Sequence, residues 1–189
     1  MSRGAFLVDP QIDIAARRPR LGCLGTGWIG RDRQRAIARA GIAEIAAVCD
    51  VSGDCLAEAL SISPEARVVG TLEDMLELGL DGILIATPSA MHADQAIAAL
   101  DAGIAVFCQK PLGRSARETT NVVDAARRAS RLLGVDHSYR RTRALEAVRS
   151  ALQDGSIGRI FAADLVFHNA YGPDKSWFRD VDLSGGGCV

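Results

Sequence analysis

"LGCLGTGWIGRDR", residues 21–33, decides the fold. Leu21–Leu24 is a short apolar run suited to a buried strand, and Gly25-Thr26-Gly27-Trp28-Ile29-Gly30 follows it as a G-x-G-x-x-G loop. Ile29–Ala40 then carries helix formers with apolar residues at Ile29, Ala36, Ile37 and Ala40. Such a glycine pattern is weak alone. It gains force from a strand before it, a helix after it and a carboxylate at the end of the next strand. All three are present, because the strand read at Ala43–Asp50 ends in Asp50, 20 residues beyond Gly30. The spacing assigns Gly25 to a tight turn, Gly27 to close backbone approach by a pyrophosphate and Gly30 to close packing of helix on strand. A helix N-terminus offers free N–H groups and a partial positive charge to phosphates. Asp50 is expected to accept both ribose hydroxyls of an adenosine and to repel a 2′-phosphate, which favours NAD over NADP. Trp28 is read as a packing anchor, with a lid over the pyrophosphate as the alternative.

Outward from this loop, short apolar runs alternate with helical stretches. Strands are expected at Arg67–Val69, Asp81–Thr87, Ile104–Gln109 and in "LLGVDHSY" (residues 132–139). Helices are expected at Asp54–Leu60, from Thr71, at His92–Ala102, from Ser115 to Leu132 and at Arg141–Gln153. Thr71 with Asp74, and Ser115 with Glu118, have the three-residue spacing of a capped helix start. Gly103 suits a left-handed C-cap. Four-to-six-residue apolar runs separated by helices imply parallel strands covered on both faces, a Rossmann-type doubly wound α/β sheet. Beyond Tyr139 the character changes: "GRIFAADLVFHNA", residues 158–170, reads as a longer, partly alternating strand. The expected organisation is an arm over 1–19, a dinucleotide-binding domain over 20–139 and the beginning of a second α/β domain over 140–189.

Composition narrows the function. The chain of 189 residues is 48% hydrophobic with a net charge of −1, so it can bury a core and gives no electrostatic case for nucleic acid or an anionic membrane. Cys23, Cys49, Cys55, Cys108 and Cys188 match no zinc spacing, and Cys23, Cys49 and Cys108 sit inside apolar runs, which favours small buried hydrophobes in a reducing compartment. No metal site is expected. No apolar run is long enough to span a bilayer and no secretory leader is read, so the expected location is the cytoplasm.

In an open α/β sheet, ligands lie beyond the carboxyl ends of the strands. Two further strand ends carry unusual turns: "ATPSAMH", Ala86–His92, and "CQKPLG", Cys108–Gly113. With the glycine loop they form the expected walls of a nicotinamide site, and Pro111 disfavours the helical region for Lys110. For His92, at a helix start, capping or packing is the favoured reading. His137 and Tyr139 follow another strand end, and His168 lies in the long alternating strand.

These residues resemble the glucose–fructose oxidoreductase, inositol dehydrogenase and rhizopine-catabolism (Gfo/Idh/MocA) family. "GTGWIG", Asp50, "TPSAMHADQAIAALDAG" and "CQKPLG" occur in that family's order and spacing. The resemblance implies NAD(P)-dependent hydride transfer at a secondary hydroxyl or carbonyl of a sugar, cyclitol or polyol. It implies cofactor-binding roles for Gly25, Thr26, Gly27, Trp28, Ile29, Gly30, Asp50, Ala86, Thr87, Pro88, His92, Gln109 and Lys110, and a catalytic role for Lys110. It also implies a second domain that forms the homo-oligomer interface of full-length relatives. The chain departs from the pattern twice. Gln109 stands where the family has glutamate, keeping the shape and losing the charge. "SGGGCV" resembles the turn before an Asp-x-Gly-x-His-x-x-Asp helix that does not follow Val189. The resemblance therefore implies the N-terminal portion of such an enzyme, with a non-catalytic NAD-binding remnant as the alternative.

Overall fold

The computed structural model describes residues 17–166 and 180–185. They divide into two compact units between Ala86 and Thr87. The first contains β1 (Arg20–Leu24), α1 (Trp28–Ala40), β2 (Glu44–Cys49), α2 (Gly53–Ile62), β3 (Arg67–Val68), α3 (Leu72–Leu76) and β4 (Gly82–Ile85). The second contains α4 (Ser89–Asp101), β5 (Ala105–Gln109), α5 (Ala116–Ala129), β6 (Leu133–Asp136), α6 (Arg143–Gln153) and α7 (Val181–Ser184). The strands lie in the order β3-β2-β1-β4 in the first unit and β5-β6 in the second, every pair parallel, as expected of the doubly wound sheet that the alternation of strands and helices predicts.

Within the first unit β1 runs parallel to β2 and to β4, with Leu24 opposite Cys49 on one side and Ile85 on the other. This register brings three strand ends level and sets the place of the loops that follow. The strands are apolar because both faces are covered: Gly82–Ile85 is buried throughout, and so is β2 from Ile45 to Cys49. Cys23, Ile45, Val48, Ala59, Ala66 and Leu84 form a core under α1 and α2, joined by Ile37, Leu56 and Leu60 from the helices. Gly22 is needed for packing, since a Cβ there would lie 2.6 Å from the Met75 sulfur.

In the second unit β5 and β6 are parallel, with Gln109 opposite Asp136 at their C-terminal ends. Helix α4 buries Ala93, Ala96, Ala99 and Leu100, and α5 buries Val122, Ala125 and Ala126. The alanines keep the helix faces slim enough for close approach. Helix starts follow the capping signals: Thr71 Oγ1 accepts Asp74 N at 3.1 Å, and Ser115 Oγ accepts Glu118 N at 3.1 Å. Gly103 has φ +78°, the left-handed conformation expected of it.

Three expectations change. Helix α4 begins at Ser89 instead of His92, because Pro88 (φ −59°) already sets the backbone for a helix start. Helix α5 ends at Ala129, short of Leu132, because Ser130 adopts a left-handed φ of 53° and its N–H bonds the Arg127 carbonyl. Residues 158–166 form no strand. Alternation alone does not make a strand without a neighbour to pair with, and Phe161, Leu165 and Val166 are exposed. The rest of that stretch, with His168, lies outside the described residues. No helix among the described residues is long and apolar enough to cross a membrane.

Candidate functional site

The glycine loop leaves β1 with Gly25 N donating to Cys49 O at 2.8 Å, which ties it to the end of β2. Its three glycines answer to different demands. Gly25 has φ +84°, open to few other residues. Gly30 is forced by packing, since a Cβ would sit 2.1 Å from the Gly25 carbonyl oxygen. Gly27 meets neither demand: its φ is −57°, and a Cβ there would find nothing within 4 Å. The protein itself leaves room for a side chain at Gly27, so the open approach to this backbone suits a ligand. Arg31 N is the first amide bonded into α1, to Gly27 O at 2.9 Å, and no side chain caps the helix. The amides of Trp28, Ile29 and Gly30 therefore lie at a helix start with no helical acceptor, a cradle that fits phosphate.

Asp50 stands beside this cradle. Its Oδ2 accepts from Thr26 N at 2.6 Å and from Thr26 Oγ1 at 3.3 Å, while Oδ1 accepts from Ser52 N at 2.9 Å. The carboxylate is thereby fixed at the end of β2. Arg31, which sequence reasoning passed over, braces the loop: Nη1 donates to Thr26 O at 2.7 Å and the guanidinium pairs with Glu58 at 2.8 Å. Trp28 corrects an expectation, because it is 59% exposed and anchors no core. Ala86, at the end of β4, donates its N–H to Leu24 O at 2.8 Å and so continues the β1–β4 ladder by one residue.

The turns of the second unit are built around His92. Its ring is 2% exposed, with Nδ1 2.6 Å from Pro111 O and Nε2 2.8 Å from Thr87 O. A neutral imidazole donates to one of these carbonyls and a doubly protonated ring to both. Either way the side chain is held between the Thr87-Pro88 turn and the Lys110-Pro111 turn, in keeping with a packing role. Thr87 Oγ1 is fixed in turn by Gln95 Oε1 at 2.6 Å. The Lys110–Pro111 peptide is cis. Lys110 is exposed and makes no hydrogen bond or ion pair among the described residues. Only two residues of the chain are lysine, Lys110 and Lys175, among 22 Lys and Arg together. A lysine at residue 110 in so arginine-rich a chain is a signal the motif alone does not give. Gln109 is buried, and its Nε2 donates to Asp136 Oδ2, a partner that no motif points to. His137 and Tyr139 are exposed.

Two deeply buried thiols offer no competing chemistry. Burial pushes Cys23 and Cys108 up to about 12, so both stay protonated and inert at neutral pH. Burial also raises Cys49. Cys188 lies outside the described residues, among which no cluster of metal-ligating side chains occurs.

Residues 20–137 match the family model of the Gfo/Idh/MocA oxidoreductases, described as an oxidoreductase family with an NAD-binding Rossmann fold. The chain belongs to this family. It is 31% identical over 173 residues to 1,5-anhydro-D-fructose reductase of Ensifer adhaerens, covering 90% of this chain and 52% of that protein. It is 33% identical over 159 residues to inositol 2-dehydrogenase of Acidiphilium cryptum, covering 82% and 47%. Among solved structures, the WlbA dehydrogenase of Bordetella pertussis, in complex with NADH and UDP-GlcNAcA, superposes with a TM-score of 0.72 at 33% identity. That match covers 77% of this chain and 42% of the other. This Gfo/Idh/MocA chain thus spans about half the length of the curated relatives it matches.

Proposed function

We propose that this Gfo/Idh/MocA chain carries the cofactor-binding part of an oxidoreductase that moves hydride between NAD and a secondary hydroxyl or carbonyl of a sugar, cyclitol or polyol. The observation that carries the proposal is the glycine loop with Asp50 pinned beside it through Thr26 N and Ser52 N. The carboxylate stands ready to accept ribose hydroxyls, and its charge disfavours a 2′-phosphate. Val51, the next residue, supplies no cation for that phosphate, so NAD is the preferred cofactor over NADP.

The nicotinamide supplies the hydride chemistry; the chain supplies positions and charge. Gly27 and the amides of Trp28–Gly30 take the pyrophosphate. Ala86, Thr87 and Pro88 line the cofactor, and His92 shapes their turn from within. The Lys110 ammonium donates a hydrogen bond to the reacting oxygen, stabilising the charge that develops there and relaying the alcohol proton. Sugar and cyclitol substrates are named for the relatives, 1,5-anhydro-D-fructose reductase and inositol 2-dehydrogenase. Residues 140–189 belong, in this reading, to the beginning of the domain that completes the substrate site and the oligomer interface. Helix α6 supports it with Leu145, Val148 and Leu152 exposed at helical spacing.

The test is turnover by the protein with its second domain entire, using NAD and a panel of cyclitols and sugars, followed by the absorbance of the reduced nicotinamide. The expected result is activity with at least one polyol that Lys110→Met lowers by about 10²- to 10⁴-fold, with NADH affinity retained. Activity that survives Lys110→Met unchanged overturns the role of the lysine.

A further inference from the structure

Asp136 is a buried carboxylate at the C-terminal end of β6 that the proposed chemistry does not use. Its Oδ2 accepts from Gln109 Nε2, and its Oδ1 accepts from Ser138 Oγ at 2.7 Å. Gln109 and Asp136 are direct partners in the parallel β5–β6 register, and each is 7% exposed. A carboxylate accepts only, so its partner on β5 must be a donor. Glutamine meets that need; a glutamate at 109 would set two buried carboxylates against each other, and like charges so placed cannot both ionise without cost.

Lys110 follows Gln109 directly, and Pro111 follows Lys110. The two neighbours of the lysine are held from different elements: Gln109 through its side chain by Asp136 of β6, Pro111 through its carbonyl by His92 of α4. Between these two fixed points the backbone of Lys110 has little freedom, which sets the direction in which its Cα–Cβ bond leaves the strand end.

We propose that Asp136 is a positioning residue for Lys110, acting through Gln109, and that this chain carries on β6 the negative charge that a glutamate at 109 would carry on β5. The proposal rests on the reading of Lys110 as the substrate-facing cation, but the placement of that lysine is measured without cofactor or substrate. With only two lysines in the chain, reductive methylation with ¹³C-formaldehyde labels Lys110, Lys175 and the N-terminus alone. The Lys110 signal is identified by its loss in Lys110→Arg.

The experiment compares the full chain with Gln109→Glu, Asp136→Asn, Asp136→Ala and the double variant Gln109→Glu/Asp136→Asn. At pH 7, Gln109→Glu is expected to lower the folding equilibrium constant by about tenfold or more and to move the Lys110 methyl resonance. The double variant, in which an amide on β6 donates to a carboxylate on β5, is expected to return both toward the starting values. Asp136→Ala is expected to shift the same resonance and leave that of Lys175 in place. If Gln109→Glu does not fold, Asp136→Ala and the folding of the double variant carry the test. A Lys110 resonance unmoved in every folded single variant overturns the proposal, as does a double variant no more stable than Gln109→Glu. Failure of NADH to bind overturns the oxidoreductase reading and leaves these resonances unaffected.

Discussion

Single residues in the loop separate what the fold needs from what a ligand needs. Gly30→Ala places a methyl group 2.1 Å from a backbone oxygen that has no freedom to rotate away. It is expected to destabilise the protein by about 1–3 kcal/mol or more, read as a lower urea midpoint without any ligand. Gly27→Ala meets nothing within 4 Å, so it should leave the urea midpoint in place and weaken NADH binding. Equal loss of stability in both variants would contradict the assignment of Gly27 to the ligand. The glycines and Asp50 were legible in the sequence because their spacing follows directly from the strand–loop–helix geometry. Arg31 and Asp136 were not, because their roles depend on a backbone carbonyl and a cross-strand partner that only the folded chain brings near. Trp28 shows the limit of reading bulk as burial: a large apolar residue at a helix start still faces outward when the chain turns there.

Elements carry the next set of expectations. Helix α4 is anchored by Leu100, which is fully buried, so Leu100→Ala should cost about 2–5 kcal/mol. Calorimetric or urea unfolding checks this, and a loss below about 1 kcal/mol would mean that α4 does not depend on that contact. The start of α5 carries a pH dependence. The Arg114 side chain, with help from the Arg114 backbone N–H, holds the Glu118 carboxyl below its ordinary value of 4.5. A carboxylate with a folded-state pKa below its unfolded one contributes stability that is present above the unfolded value and lost as pH falls through the folded one. Arg114 also donates to Asp182 O of α7 at 2.6 Å, so the effect reaches beyond one helix. Thermal midpoints of the protein and of Glu118→Gln should therefore differ at pH 7 and converge as the pH drops below 4.5. A constant gap down to acid would contradict it. Helix starts at Thr71 and Ser115 were legible because an accepting hydroxyl and its donor amide are local in sequence. The end of α5 was not, since it turns on one left-handed serine, and residues 158–166 misled because alternation cannot report whether a pairing strand exists.

For the whole molecule, the parallel pairing and the doubly wound fold class followed from the rhythm of apolar runs and helices, and the family from three motifs at three strand ends. What remains a matter of function rests on the cofactor. We propose that the loop and Asp50 form a site for NAD in preference to NADP. Titration of the protein with NADH and with NADPH, followed by quenching of tryptophan fluorescence and by the rise in melting temperature, tests it directly. NADH should bind and stabilise, NADPH should bind at least about tenfold more weakly, and Asp50→Ala should weaken NADH by about tenfold while narrowing the gap. Equal affinity for the two cofactors, or no binding of either, would contradict the account.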